Sequence, residues 1–492
     1  MPRDDHIDKP YLPNRKDFHL EKGTVMKSLM KKVFAAAAAI ATVFGLAATT
    51  VATANAADNA TLTVSTTDAK FAGKTVNAYK MFSATVSGDG KAVSYTLTDE
   101  WKPFFKNSVG LTGVTDENVN DKANDYVSKL KDSTLVAFAT KASNWAQTKA
   151  NNITADATAT VSADASNGKY TATFTGLGYG YYVVAVPGAT LANAKSQYAT
   201  LVSVHSTKVD ADIKGDLPTV DKKVQVDGTG KDATDAKIGD TLTFTLTSTI
   251  PDMSAYDTYT FNFKDTLSKG LTFGQVKSVK VENVTLTENT DYTVTTPTAS
   301  NNNTLTVAMK DFKTKQQANA GKKITVTYTA TLNENAVVGG AGNVNSAKIQ
   351  YSNNPSTNGT GESEPSKVRV FTYGFTVDKY TGDQYTDAAT RLAGAEFTLA
   401  HKDGSAISFV QVSAGSATAN AVYRVAKAGE TGTTTITTPA NGKVVFEGLK
   451  NGEYTLTETK APAGYNKLAS AIGVKVNGQN NGTDTTNATV TI

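Results

Sequence analysis

Along most of the chain, apolar and polar residues alternate one for one. In Thr241-Leu242-Thr243-Phe244-Thr245-Leu246 the threonines hold one parity and the large apolar residues the other. Successive side chains of an extended strand point to opposite faces, so such a run offers one face to a core and one to water. Alternation of this kind, rich in β-branched residues and broken by turn pairs such as Asp227-Gly228 and Asn441-Gly442, predicts antiparallel strands stacked as sandwiches. A helical period appears in one region only. Leu135, Phe138, Ala142 and Trp145 follow three- and four-residue spacing, with Tyr126 and Leu130 just upstream. The pattern therefore predicts an N-terminal β domain carrying one or two helices, and β structure after about residue 215.

Two breaks divide the pattern. One is Asp216-Leu217-Pro218-Thr219. The other is the polar, Gly/Pro-bearing stretch 353–366, after which Val368-Arg369-Val370-Phe371 starts a new strand. The expected domains are 57–213, 214–366 and 367–492, three tandem Ig-like β-sandwiches in an elongated, all-β chain. Thr219-Val220-Asp221-Lys222 and Thr376-Val377-Asp378-Lys379 look alike, a short internal repeat of a first strand. Residues 1–56 stand apart. Lys27, Lys31 and Lys32 precede an apolar run from Val33 to Ala48 and the small-residue site Ala54-Asn55-Ala56, which reads as a secretory signal cleaved after Ala56. Residues 1–25 fit no part of such a signal, and Met26 or Met30 is the better start.

Composition narrows the chemistry. The 492 residues include no cysteine, which removes disulfides, thiolate metal sites and cysteine nucleophiles. Only His205 and His401 lie beyond the leader, too few for a zinc site or a histidine-centred triad, so neither metal nor cofactor is expected. A net charge of +4, from 49 basic and 45 acidic residues, lacks the basic excess of a nucleic-acid binder. An enzyme would need convergent acid–base groups in an open cleft, whereas the groups that stand out here face cores.

Parity singles them out. Val220, Lys222, Val224 and Val226 share one face of a strand; Tyr259, Phe261, Phe263, Asp265 and Leu267 share another; Asn345, Ala347, Ile349 and Tyr351 share a third. A lysine, an acid and an asparagine are thus directed at one core. Burying unpaired charge costs several kcal/mol, and the groups escape by neutralising. A desolvated lysine becomes a nucleophilic amine, and a desolvated aspartate stays protonated. Amine attack on the asparagine side chain, with loss of ammonia, gives a Lys–Asn isopeptide between first and last strands, in a single turnover. The plainer alternative is a solvated edge lysine beside Lys223, with Asp265 and Asn345 as turn residues. In the third domain Phe375, Val377 and Lys379 share one face, and Tyr454, Leu456 and Glu458 share another.

The run Tyr454-Thr455-Leu456-Thr457-Glu458-Thr459-Lys460-Ala461-Pro462-Ala463-Gly464-Tyr465, with Leu392-Ala393-Gly394-Ala395-Glu396-Phe397 before it, resembles the glutamate-bearing motif of the B-type domains of Gram-positive collagen adhesins and pilins. The second domain resembles the isopeptide-forming middle domain of sortase-assembled pilus shafts. The matching stretches are Pro218 to Lys222, Phe263-Lys264-Asp265-Thr266-Leu267-Ser268-Lys269-Gly270-Leu271, and Gly342-Asn343-Val344-Asn345 running to Pro355. Ala78-Tyr79-Lys80-Met81-Phe82 and Gly180-Tyr181-Tyr182-Val183 fit the N-terminal pilin domain. The chain is similar to major (backbone) pilins of Gram-positive bacteria.

That resemblance implies roles. Lys222 would be the amine, Asp265 the catalytic acid, and Asn345 (or Asn343) the acceptor; in the third domain Lys379 would be the amine and Glu458 the acid. The family joins subunits through a lysine in a Tyr-Pro-Lys-Asn motif, which is absent here; Lys214 occupies the equivalent place, with Lys208 second. Ala488, Val490 and Ile492 share the inward face of the last strand, so Asn487 has the wrong parity for an acceptor. The chain shows no LPxTG sorting signal, which points to an end just short of the third-domain acceptor, with Asn487 the only substitute. The implied partners are copies of the same subunit, a pilus-specific sortase, minor pilins and the cell wall, and the implied location is the cell surface. A pilus tip or base adhesin binding host matrix or glycans is the second reading.

Overall fold

The computed structural model describes residues 59–478 apart from 88–91, 165–167, 190–198, 214–215, 255, 354–358 and 383–389. Ala56, Lys214, Asn487 and Ile492 therefore lie outside the described residues. The chain divides into two compact units, Met1–Asp216 and Leu217–Ile492.

In the first unit, a four-stranded sheet is built on Ala60–Thr66, which runs antiparallel to Lys169–Leu177 and parallel to Lys208–Asp212. A five-stranded sheet is built on Thr75–Val86, paired with Val93–Leu97, Ala157–Thr160 and Gly180–Ala185. Three α-helices, Lys102–Asn107, Val119–Ser128 and Asp132–Gln147, add to its apolar core; Phe105, for instance, meets Phe82 edge-on at 5.8 Å. One more helix is present than the spacing predicts. Lys102–Asn107 is too short to repeat a period, and it is marked instead by a proline in its first turn.

The second unit opens with a sandwich of two sheets. The first has Thr241–Thr249 and Lys323–Leu332 at its centre, with Asp221–Val226 beside the former and Leu271–Val281 beside the latter. The second has Phe261–Leu267 between Thr304–Met309 and Asn343–Ser352, with Ser366–Phe371 beyond the latter. Phe261, Phe263, Asp265 and Leu267 are buried and the residues between them only partly so, as the alternation predicts. The isolated turn of helix Phe312–Gln316 is too short to register as a period.

The sequence places the strand from Val368 at the head of a third domain. Instead it pairs with the strand before it, Asn345 opposite Val368, and buries Val368 and Val370 in the middle sandwich. The polar stretch before it is a connection within that sandwich, and its segment Thr360–Glu362 pairs back onto Gln350–Ser352. After Thr372 a further pair of four-stranded sheets follows. Tyr373–Asp378, Lys443–Leu449, Ala421–Val425 and Phe409–Ser413 form one; Ile436–Thr437, Glu396–His401, Gly452–Lys460 and Ile472–Val476 form the other. The two sandwiches of this unit touch where the Ile238 N–H donates to the Gly448 carbonyl at 3.0 Å. Gly448 has φ +83°, and a Cβ there would lie 2.6 Å from Ile238 Cδ1, so both the backbone and the contact require glycine.

Candidate functional site

Lys222 sits on Asp221–Val226, the first strand of the middle sandwich, and Tyr328 on Lys323–Leu332 in the same sheet. Asp265 and Asn345 face them from the opposite sheet, on adjacent antiparallel strands where Asp265 lies opposite Ala347 and Leu267 opposite Asn345. Odd-numbered positions of these two strands point inward, which is how sequence parity brings an acid and an amide to the same depth. All four residues have 0% solvent exposure.

Lys222 Nζ donates to Asp265 Oδ2, and also to the Tyr328 hydroxyl at 2.9 Å. The Tyr328 hydroxyl donates to the same Asp265 oxygen at 2.6 Å and accepts from Asn345 Nδ2 at 2.6 Å. The second oxygen of Asp265 and the side-chain oxygen of Asn345 are buried without a protein partner. Nζ also lies 5.0 Å from the centre of the Phe244 ring, which stacks on Tyr328. Burial pushes the Lys222 amine down to about 8, against the opposing pull of the Asp265 carboxylate. Burial first, and then the Asp265 charge, holds the Tyr328 phenol well above its ordinary value.

Asn343, the alternative amide, is buried on the same strand but is engaged elsewhere. Its oxygen accepts from Val337 N–H at 2.9 Å, and its nitrogen donates to the carbonyls of Val337 and Val370, each at 3.1 Å. Sequence reasoning missed Tyr328. Its signal was a hydroxyl-bearing residue in the inward stripe Ile324, Val326, Tyr328, Ala330, Leu332, where the other members are aliphatic.

In the C-terminal sandwich Lys379 follows directly on the strand Tyr373–Asp378, and Glu458 lies on Gly452–Lys460. Lys379 Nζ is 2.9 Å from Glu458 Oε1, with side-chain exposures of 14% and 0%. The other Glu458 oxygen accepts from the Leu468 N–H at 2.8 Å. Lys208, in the first unit, is exposed at the start of a strand.

Comparison with known families fits this architecture. Residues 238–355 match the family model of the Gram-positive pilin backbone subunit 2, Cna-B-like domain, a span that includes Asp265, Tyr328 and Asn345. Residues 383–491 match the SpaA prealbumin-like fold domain. By these matches, the chain carries domains of the kind found in Gram-positive backbone pilins. Among particular proteins it is similar to the trypsin-resistant surface T6 protein of Streptococcus pyogenes serotype M6, 26% identical over 279 residues, or 51% of this chain and 44% of that protein. The chain thus spans less than half the length of this curated relative. Similar solved structures include the T6 backbone pilin of that serotype (20% identical, covering 85% of this chain and 80% of that one, TM-score 0.49). Another is a 35 kDa C-terminal fragment of the major pilin of Streptococcus agalactiae (25% identical, covering 53% and 91%, TM-score 0.41).

Proposed function

We propose that this chain is a secreted shaft subunit of a cell-surface pilus whose middle domain closes a Lys222–Asn345 isopeptide bond once per molecule. The observation that carries this reading is the meeting of Lys222, Asp265 and Asn345, fully buried, around one phenol oxygen. In the reaction a proton passes from Lys222 Nζ to Asp265. The amine lone pair attacks Asn345 Cγ, the Cγ–Nδ2 bond breaks, and ammonia leaves. Holding amine and amide on one phenol oxygen supplies an effective molarity on the order of 10⁵ M or more, which suits a poor leaving group. Asn343 has no part in this reading, because the backbone occupies both ends of its amide.

The pair Lys379 and Glu458 supports a second amine–acid arrangement of the same kind. Sortase joins successive subunits through Lys214, with Lys208 the second choice.

Intact mass spectrometry tests the central bond. The wild-type chain is expected to be lighter by one ammonia for the middle domain, and Lys222→Ala, Asp265→Ala and Asn345→Ala each to restore that mass. A wild type at full mass overturns the reading. Incubation with sortase tests polymerisation: Lys214→Ala is expected to stay monomeric where wild type forms ladders, and persistent ladders move the assignment to Lys208.

A further inference from the structure

We infer that Tyr328 is a catalytic residue of the cross-linking reaction, carrying a proton from Asp265 to the departing amide nitrogen of Asn345. This rests on the isopeptide reading above and adds a step to it. The carboxyl group of Asp265 makes no hydrogen bond to Asn345. Its Oδ2 meets Lys222 and Tyr328, and its Oδ1 is buried without a partner. The link between acid and amide is the phenol, whose oxygen accepts from Nδ2 at 2.6 Å and whose O–H donates to Oδ2 at 2.6 Å.

A hydroxyl has one proton to give and two lone pairs to fill. Tyr328 uses all three, on the amine, the acid and the leaving nitrogen. The phenol is held in its protonated form, as a carrier between two partners must be.

The steps balance. Lys222 Nζ gives one proton to Asp265 Oδ2 and becomes a neutral amine. Its lone pair forms the bond to Asn345 Cγ while the C=O π pair moves onto Oδ1. The nitrogen Nδ2, now tetrahedral and with a free pair, reverses its hydrogen bond and takes the phenol proton, as the phenol takes the proton on Oδ2. The Cγ–Nδ2 bond then breaks, the carbonyl re-forms, and ammonia leaves. The new amide nitrogen returns its extra proton to Asp265, which ends as a neutral acid. The five protons that began on Nζ and Nδ2 end as three on ammonia, one on the new amide and one on Asp265.

The plainer role for Tyr328 is packing, since its ring stacks on Phe244 at 5.3 Å. Phenylalanine preserves that packing and removes only the hydroxyl. The test follows newly made full-length chains, pulse-labelled during cell-free synthesis, by intact mass over time. Tyr328→Phe is expected to lose its ammonia about 100-fold more slowly than wild type, within the usual range for one acid–base group. Equal rates would overturn the relay. Should Tyr328→Phe fail to give a native circular-dichroism spectrum, 3-fluorotyrosine placed at 328 keeps the ring and makes the phenol a stronger acid. A rate that changes with this replacement is expected, and one identical to wild type refutes the step. A wild type that shows no Lys222-dependent loss brings down the isopeptide reading itself, a result distinct from equal rates.

Discussion

A lysine amine with no solvent contact changes the pH response of the whole domain. Lys222 titrates at about 8 in the folded protein against an ordinary 10.5. Below about 8 both folded and unfolded chains hold the proton; between about 8 and 10.5 only the unfolded chain does. Stability rises with pH wherever the unfolded state binds more protons, so it rises across that window. The effect is visible only where the amine remains free. Asn345→Ala is therefore expected to gain resistance to urea as the pH is raised from 8 to 10, and Lys222→Met combined with Asn345→Ala to lose that slope. A flat profile in Asn345→Ala would mean that the folded domain does not disfavour the ammonium.

At the scale of elements, the amide strand is fixed at its start by the loop it leaves. Asn343 ties Val337 and Val370 together, and Gly270, just past the acid strand, lies so close that a Cβ would sit 2.2 Å from Asn343 Oδ1. Gly270→Ala is expected to cost about 1–3 kcal/mol, read from chemical denaturation, through overpacking. On the proposed assignment of Asn345 as acceptor, the ammonia loss should persist in Gly270→Ala and in Asn343→Ala; its disappearance from Asn343→Ala alone would exchange the roles of the two asparagines. Much of this element logic was legible in the sequence, because a period of two converts directly into faces. Parity alone put Lys222, Asp265 and Asn345 on inward faces, where the structure buries them. Parity does not say which strands are neighbours. The strand Ser366–Phe371 was consequently assigned to the wrong sandwich, and Tyr328 was not singled out. The helices Lys102–Asn107 and Phe312–Gln316 went unseen because neither repeats a turn often enough to leave a pattern.

At the scale of the molecule, a bond from Lys222 to Asn345 closes a loop that takes in strands of both middle sheets. Such a closure restricts the unfolded chain as a disulfide does, by about 4–5 kcal/mol for a loop of this order. For a domain of this size that corresponds to a fall in Tm of roughly 10–20 °C in Asn345→Ala, measurable by calorimetry; an unchanged Tm would remove the stabilising role. Thr360–Glu362 and Ser366–Phe371 follow the strand of Asn345 in its sheet, so the proposed bond would not reach the last strand, as the sequence suggested it would. Ser366–Phe371 lies outside the loop, and a pull on the chain still loads its pairing with Asn343–Ser352.

The complete enclosure of Lys222, Asp265 and Asn345 also bears on how long such a link lasts. Hydrolysis needs a water molecule at the carbonyl carbon, and Asn345 has no solvent exposure. A join that the fold itself shields from attack lets each subunit age without repair.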